Sequence, residues 1–317
     1  LSKSKKKAKE PKPSILVTGG AGSIGSALTE HLVKTMGDEY TIRVFDNNEY
    51  RIWELRERLN NPNLRFLIGN VRDYHRLKEA MFGVKHVFHC AALKHVALCE
   101  FNPFDAVETN VIGTQNTIRA AFDTPTIEKF LYISTDKAVN PTSMMGASKL
   151  IGERLILAAN YIKGNRPIML SSARFPNVME TAGNVFEAWE FQYRTMGKLL
   201  VRDPDMTRYF IHMERAVEFV IESFNFMSGG EIFFPALSEK DLKRIIDVAR
   251  DWLKSKHYKE VEFVYGTPEF GEKMEEELHT IPETPYIKKI SPTLRAIRPP
   301  AYDFSQWKVK NKPQRTK

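Results

Sequence analysis

A glycine-rich turn, Thr18-Gly19-Gly20-Ala21-Gly22-Ser23-Ile24-Gly25, stands between a short apolar, β-branched run at 14–18 and apolar positions at helical spacing, Ala27, Leu28, Leu32, Val33 and Met36. Glycines at 19, 22 and 25 permit a tight turn and a close approach of backbone to a pyrophosphate, and the free N–H groups of the following helix face the phosphates. Such a spacing alone recurs by chance. Flanked by a strand and a helix, it commits the first forty residues to a βα unit whose turn holds a dinucleotide, with Ser23 and Ile24 at the helix start beside the glycines.

The pattern continues. Strands are predicted at 41–45, 65–69, 86–90, 129–134 and 167–172, and helices at 105–122 and 147–161. Strands alternating with helices at this spacing predict an α/β chain with a doubly wound parallel sheet of the Rossmann type, covered on both faces. After Asn177 the alternation breaks up. A helix is expected at 212–224, a short strand at 231–235, one helix over 238–255 capped by Ser238, and a strand at 258–264; 266–306 reads as loosely structured. The chain thus divides into a nucleotide-binding domain at 14–177 and a smaller substrate lobe at 178–306, partly interleaved with the end of the first domain.

The formal charge of +8 is concentrated at the ends. Residues 1–13 hold six lysines and one glutamate, and residues 308–317 hold four lysines and one arginine, which leaves the rest near −2. The ends, 1–13 and 307–317, read as flexible basic tails. No basic stripe interleaved with aromatics runs through the core, so nucleic acid is not an expected partner. No apolar run approaches the length of a membrane span, and no signal peptide is visible. The chain starts at Leu1, which leaves room for a trimmed segment upstream; membrane association would come only through such a segment or the tails. Cys90 and Cys99 cannot make a disulfide framework and suit a reducing, cytoplasmic setting. The eight histidines never pair with cysteine or acid at convincing ligand spacing, so no metal is expected.

Asp46, with Asn47 beside it, ends strand two, where an acid accepts the adenine-ribose hydroxyls and repels a 2′-phosphate; the expected cofactor is therefore NAD. Asn70 and Val71 follow strand three, under the adenine. After strand four, Ala91 and Ala92 let backbone approach the cofactor, and Lys94 and His95 start at the ligand edge of the sheet. Asn110 is expected to tie backbone to the active-site strand. Strand five exits into Ser134-Thr135-Asp136-Lys137, and Lys149 follows on the next helix, within reach of the nicotinamide ribose. Position 145, four residues before that lysine, holds methionine where a tyrosine usually stands. A thioether neither takes nor gives the proton that an alcohol–ketone hydride transfer needs. Asp136 and Lys137 become the chemical suspects, and the reading moves from oxidation and reduction towards dehydration.

The stretches TGGAGSIGSAL, FDNNEYRIWELRERL, VRDYHRLKEAM, AALKHVALCEFNPFDAVETNVIGTQN and YISTDKAVNPTSMMGASKLIGERL, and later RFPNV, DPDMTRYF, GGEIFFP and GEKMEEEL, resemble the nucleotide-sugar 4,6-dehydratases of the extended short-chain dehydrogenase/reductase superfamily. The chain is most similar to the UDP-N-acetylglucosamine branch. The resemblance implies oxidation at sugar C4, loss of the C5 proton and the C6 hydroxyl, and return of hydride to C6, giving a UDP-4-keto-6-deoxy sugar with or without inversion at C5. It assigns Lys137 as the C5 base, with a lowered pKa, Asp136 as the acid for hydroxyl loss, and Thr135 as a hydrogen-bond partner of the C4 hydroxyl. Asn177 and Arg208 would hold the substrate phosphates, and Lys94 and His95 would line the sugar or cofactor pocket. Proton removal from the C4 hydroxyl would pass through Asp136, Lys137 or a water. The resemblance also implies a homo-oligomer, dimeric or hexameric. Pro176 stands where the family has glycine, and Glu180 would bring negative charge near the diphosphate.

Two other functions fit the same pattern. A nucleotide-sugar 4-epimerase needs hydride transfer and sugar rotation without water loss, and usually relies on the tyrosine that is missing here. A non-catalytic NAD-binding regulator or scaffold would bind the cofactor without turnover.

Overall fold

The computed structural model describes residues 12–299. The chain runs β1 (Ser14–Thr18), α1 (Ser23–Met36), β2 (Thr41–Asp46), α2 (Glu49–Leu59), β3 (Leu64–Ile68), α3 (Tyr74–Met81), β4 (Val84–His89), α4 (Val96–Phe101), α5 (Pro103–Ala106), α6 (Gly113–Phe122), β5 (Lys129–Thr135), α7 (Met144–Ile162) and β6 (Met169–Phe175). It continues through β7 (Asn177–Val178), α8 (Val185–Met196), β8 (Lys198–Val201), β9 (Thr207–Ile211), α9 (Met213–Phe226), β10 (Ile232–Pro235), β11 (Leu242–Arg244), α10 (Ile245–Ser255), β12 (Glu262–Tyr265), β13 (Ile287–Lys289) and β14 (Leu294–Ile297).

The main sheet has the order β13-β14-β10-β6-β5-β4-β1-β2-β3. From β3 to β10 every neighbour is parallel; β14 and β13 add an antiparallel edge beyond β10. The order turns outward in both directions from β1 and β4, so the carboxyl ends of β1, β4 and β5 open onto one crevice, where such sheets bind ligands. Apolar side chains cover both faces. Leu28 and Leu32 of α1 and Val217 and Val220 of α9 belong to one cluster, and Leu77 of α3, Ile118 of α6 and Ile156 of α7 to the other. Each fully buried Leu or Ile contributes about 1.5–3 kcal/mol of transfer free energy.

The smaller lobe is built from a sheet β11-β9-β7, the pair β12-β8, and helices α8 and α10 around Trp189, Leu199, Ile246 and Trp252. The chain leaves it to supply α9 and β10 to the main layer. Among the described residues no helix is long and apolar enough to cross a membrane. The expected basic ends lie outside the described residues except for Lys12 and Pro13. Lys12 is docked, its Nζ donating to Gly37 O at 2.9 Å and to Asn63 Oδ1 at 3.2 Å.

Two expectations are corrected and a third gains a detail. The helix expected over 238–255 starts at Ile245: Ser238 caps a 3-10 turn at Glu239–Asp241, and Leu242–Arg244 pairs antiparallel with β9. The buried 3.6-residue stripe begins only at Ile245 and Ile246. Over its described part, 266–299, the segment expected to be loose is held by Leu294, Ala296 and Ile297, which are fully buried against the sheet, and 300–306 lie outside the described residues. The helix expected at 105–122 contains a π-turn, Val107–Ile112, with Asn110 buried inside it. Helices α2 and α3 were not foreseen, and α8 falls in 178–208, a stretch that reads only as a mixture of helix and turns. Charged faces hide their stripes, and each is capped by a side chain that accepts from the first turn: Asn48, Asp73 and Asn184.

Candidate functional site

The glycine turn is sterically obligatory. Gly19 has φ +63°, and a Cβ there would lie 2.7 Å from the backbone of Ala91; a Cβ on Gly25 would lie 2.1 Å from Gly19 O. The turn therefore packs directly on the loop after β4. Gly22 is the N-cap of α1 and offers no side chain to the first turn, which also carries no acid. The N–H groups of Ser23, Ile24 and Gly25 are left to an anion, so the residues present fit a dinucleotide pyrophosphate. Asp46 is buried, accepting from Ala21 N through Oδ2 and from Asn48 N through Oδ1, both at 3.0 Å. Asn47 is exposed, Asn70 accepts from Arg72 N, and Val71 packs against Gly113.

The loop after β4 is clamped from below. Asn110 accepts from Leu93 N at 2.8 Å and donates to Leu93 O at 3.0 Å and to Ser148 Oγ at 2.9 Å. The π-turn thus fastens this loop to α7 one residue before Lys149, rather than to β5. From above, Lys94 Nζ donates to Ala182 O at 2.5 Å, and Ala182 N donates to Ser23 Oγ at 3.0 Å. His95 lies against Gly183, where a Cβ would meet its ring at 2.3 Å. Residues 181–184 consequently form a strap between the glycine turn and the Lys94–His95 loop.

β5 ends at Thr135 and turns into a 3-10 turn, Asp136–Ala138. Thr135 Oγ1 donates to Asp136 Oδ1 at 2.9 Å. Lys137 Nζ lies 3.1 Å from Asp136 Oδ1, 3.0 Å from Asn177 Oδ1 and 3.4 Å from Glu276 Oε1. Burial alone would lower the Lys137 pKa, but the carboxylates of Asp136 and Glu276 outweigh it and raise the pKa. The expected lowered pKa is therefore corrected: Lys137 is held as an ammonium. Burial raises the Glu276 pKa, against the pull of Lys137.

Ser143 Oγ accepts from Gly146 N and starts α7 so that Met145 and Lys149 sit in its first two turns. Lys149 Nζ donates to Ile133 O at 2.5 Å and lies 4.1 Å from the Tyr132 ring centre. Burial lowers its pKa to about 8. Met145 is buried with Cys99 and Ala106, and it also lines the cleft.

These elements enclose a cavity of about 1050 Å³. Of the residues singled out from sequence, Gly19, Gly22, Ser23, Ile24, Gly25, Ala92, Lys94 and His95 line its cofactor end, and Thr135, Lys137, Lys149, Asn177 and Arg208 its far end. Asp46, Asn47, Asn70, Val71, Ala91 and Asp136 stand outside its wall. Asp136 is fully buried. Arg208 donates to Thr207 O, Met274 O and Lys273 O at 2.8–3.1 Å, so its terminal nitrogens anchor the segment carrying Glu276. Glu180 does not line the cavity. It accepts from Met213 N at 2.8 Å and pairs with His212 Nδ1 at 2.7 Å, which corrects the expected charge near a diphosphate: it caps α9. Arg51, Glu272, Lys273 and Glu276 line the cavity without having been assigned a role from sequence. The GEKMEEEL motif was visible, but nothing in a run of three glutamates marks the one that turns inward.

Residues 15–296 match the family model described as polysaccharide biosynthesis protein. An uncharacterized membrane protein of Methanocaldococcus jannaschii is 46% identical, over 83% of this chain and 79% of its own. A UDP-glucose 4-epimerase of Rickettsia rickettsii is 36% identical, over 83% and 76%. The inverting UDP-N-acetylglucosamine 4,6-dehydratase of Campylobacter jejuni is 39% identical, over 71% and 67%. Among solved structures, Pen from Bacillus thuringiensis superposes with a TM-score of 0.85 at 35% identity, covering 92% of this chain and 89% of that one. The dTDP-glucose 4,6-dehydratase DesIV of Streptomyces venezuelae, solved with NAD, shares the fold at 22% identity, with a TM-score of 0.74 over 88% and 93%. With its doubly wound sheet, its glycine turn and its cleft at the sheet edge, the chain belongs to the polysaccharide biosynthesis protein family, among relatives that include both nucleotide-sugar epimerases and dehydratases.

Proposed function

We propose that the protein is an NAD-dependent enzyme acting on a UDP-linked sugar, and that it dehydrates a UDP-N-acetylhexosamine, UDP-N-acetylglucosamine first, to the UDP-4-keto-6-deoxy sugar. The glycine cradle and the buried Asp46 support NAD, with Asp46 set to accept the ribose hydroxyls and repel a 2′-phosphate. When bound, NAD supplies the reversible hydride acceptor. Lys149, on α7 with its Nζ against Ile133 O of β5, positions the nicotinamide ribose and adds positive field on that side of the cleft. Thr135 and Asn177 flank Lys137 where the sugar enters.

One observation carries the choice of dehydration: Lys137 stands between two carboxylates, Asp136 and Glu276, while Met145 occupies the place of a phenol. Epimerisation needs a proton carrier at the C4 hydroxyl alone. Elimination needs an acid and a base at neighbouring carbons, and a lysine with two carboxylates can supply both. The second reading, UDP-sugar 4-epimerisation, is favoured by the longer alignment with the Rickettsia epimerase, 83% of this chain against 71% for the Campylobacter dehydratase.

The test is incubation with UDP-N-acetylglucosamine in D₂O, followed by proton NMR. A C6 methyl signal with deuterium at C5 is the expected result, and the C5 couplings give the stereochemistry. A C4-epimerised sugar with its C6 hydroxyl intact supports the second reading. NAD-loaded protein that leaves this sugar, UDP-glucose and UDP-N-acetylgalactosamine unchanged would falsify both.

A further inference from the structure

Lys149 lines the cleft, yet the groups that would ordinarily hold a buried ammonium are committed elsewhere. Glu153, one turn further along α7, is the carboxylate whose field favours the charge. Both its oxygens are bound by Arg174, and Oε1 also accepts from Ser134 Oγ. A guanidinium paired that closely cancels most of the carboxylate's field at a distance. From β4, burial lowers the His89 pKa to about 3 and pushes the Cys90 thiol up to about 12, so neither carries negative charge at neutral pH. Among the described residues two contacts are left. One is the bond to Ile133 O at 2.5 Å, and the other is the face of Tyr132, whose ring centre lies 4.1 Å from Nζ.

Tyr132 runs against local rules. It is fully buried in the middle of β5, and its hydroxyl makes no hydrogen bond with the described residues, which is costly. Facing it in α7 is Gly152, where a Cβ would lie 2.2 Å from the phenol oxygen, and glycine inside a helix is unfavourable as well. A valine or isoleucine at this strand position would carry neither cost. Departures of this kind gather where a chain serves function rather than stability. What the ring offers in return is its negative face, set against a positive charge out of water. Tyr132 does not replace the phenol missing at 145. It stands outside the cavity wall, and burial raises its pKa, so it passes no proton.

We propose that the Tyr132 ring is the surface on which the Lys149 ammonium rests, and that it holds this charge at the nicotinamide-ribose end of the cleft. Tyr132 is thus a positioning residue for the cofactor. The inference rests on the reading of Lys149 as the lysine at that ribose. A cation–π contact strengthens as water is excluded, so the ring matters most once dinucleotide and sugar fill the cleft. The groups that set the charge of Lys149 are Tyr132 and Ile133 from β5, Glu153 of α7 with its partner Arg174 from β6, and His89 and Cys90 from β4.

The experiment compares wild type with Tyr132→Phe, Tyr132→Leu and Lys149→Met. NAD affinity by calorimetric titration and unfolding in urea are both followed from about pH 6 to about pH 10. Tyr132→Phe keeps the ring face and is expected to retain the affinity and its pH profile. Tyr132→Leu is expected to bind NAD about fivefold more weakly at about pH 8, because the pH at which affinity fades, as the ammonium loses its proton, falls by about one unit. The window in which stability rises with pH should reach lower by the same amount, since the folded ammonium is further disfavoured. A ring that served packing alone would lower stability evenly at every pH and move neither. Tyr132→Leu with a wild-type pH profile overturns the inference, as does Tyr132→Phe losing affinity as the Leu variant does. If the Leu variant does not fold, phenylalanines of increasing fluorination at position 132 decide. They keep the shape of the ring and weaken its negative face, and equal NAD affinity across the series overturns the inference. Lys149→Met binding NAD as wild type does overturns the reading of Lys149 itself. Lys149→Met impaired beside an unaffected Leu variant overturns this inference alone.

Discussion

Arg174 and Glu153 meet as a two-point ion pair inside the molecule, Nη2 to Oε2 at 2.7 Å and Nε to Oε1 at 3.0 Å, with neither side chain reaching water. Arg174 stands near the end of β6 and Glu153 in the middle of α7. Glu153 Oε1 also accepts from Ser134 Oγ at 2.6 Å, so the pair braces the strand end that presents Thr135 and Lys137. On its other side Arg174 donates to Leu278 O and Glu283, which fixes the segment just beyond Glu276.

Removing one member leaves the other buried without its partner. Glu153→Leu and Arg174→Met are each expected to lower the unfolding free energy by about 3–5 kcal/mol. Urea denaturation checks this. The double variant is expected to lose less than the sum of the two, since only the lone charges are costly.

Lys149 titrates in an unusual range. Its folded pKa of about 8 lies below the ordinary 10.5 because burial disfavours the ammonium. A depressed folded pKa means that the unfolded chain binds more protons, so this lysine's contribution to stability is complete above 10.5 and is lost as pH falls through about 8. Wild type should therefore show a rise in stability between those values that Lys149→Met lacks, amounting to about 3 kcal/mol in total. Equal slopes for the two proteins would exclude the shift.

The Asp46 carboxylate is expected to set cofactor choice. Asp46→Asn removes the charge that opposes a 2′-phosphate and turns one accepting oxygen into a donor. NAD affinity should fall by about tenfold, and the preference over NADP should narrow. Calorimetric titration with both dinucleotides measures this directly.

Glu180 offers a control outside the cleft. It satisfies Met213 N at the start of α9 and pairs with His212. Glu180→Ala should cost about 1 kcal/mol in thermal or chemical unfolding while leaving the KM for the UDP-sugar unchanged. A changed KM would return this carboxylate to the substrate site.

The nucleotide half was legible because local physics dictates it. Gly19 and Gly25 have no room for a side chain, and the alternation of β-branched runs with helical stripes leaves few other folds. The far end of the cleft was less so. Glu275, Glu276 and Glu277 are alike as letters, yet Glu277 accepts from Asn140 Nδ2 outside while Glu276 turns inward to Lys137. That difference depends on Arg208 and Lys273 holding the segment, a tertiary arrangement with no local period. Lys137 taught the same lesson about charge. Its neighbour Asp136 could be read from the chain, but Glu276 arrives from 139 positions later, and the two carboxylates together outweigh burial. The strand Leu294–Ile297 was missed because four residues beside prolines give too short a pattern, although Leu294, Ala296 and Ile297 are fully buried.

The antiparallel strand at the sheet edge bears on how a ribosome delivers this protein. Strands β1 to β6 and their helices lie within the first 175 residues, and the dinucleotide cradle is complete in them. Arg174, by contrast, must wait for Leu278 and Glu283, 104 and 109 residues further on, and the strand that closes the edge emerges later still. A half-synthesised chain can thus form its cofactor cradle while the sugar end is missing. The strand that pairs with Ile232–Pro235 follows Leu278 and Glu283 in the chain, so the residues that hold the far end of the cleft are among the last to leave the ribosome.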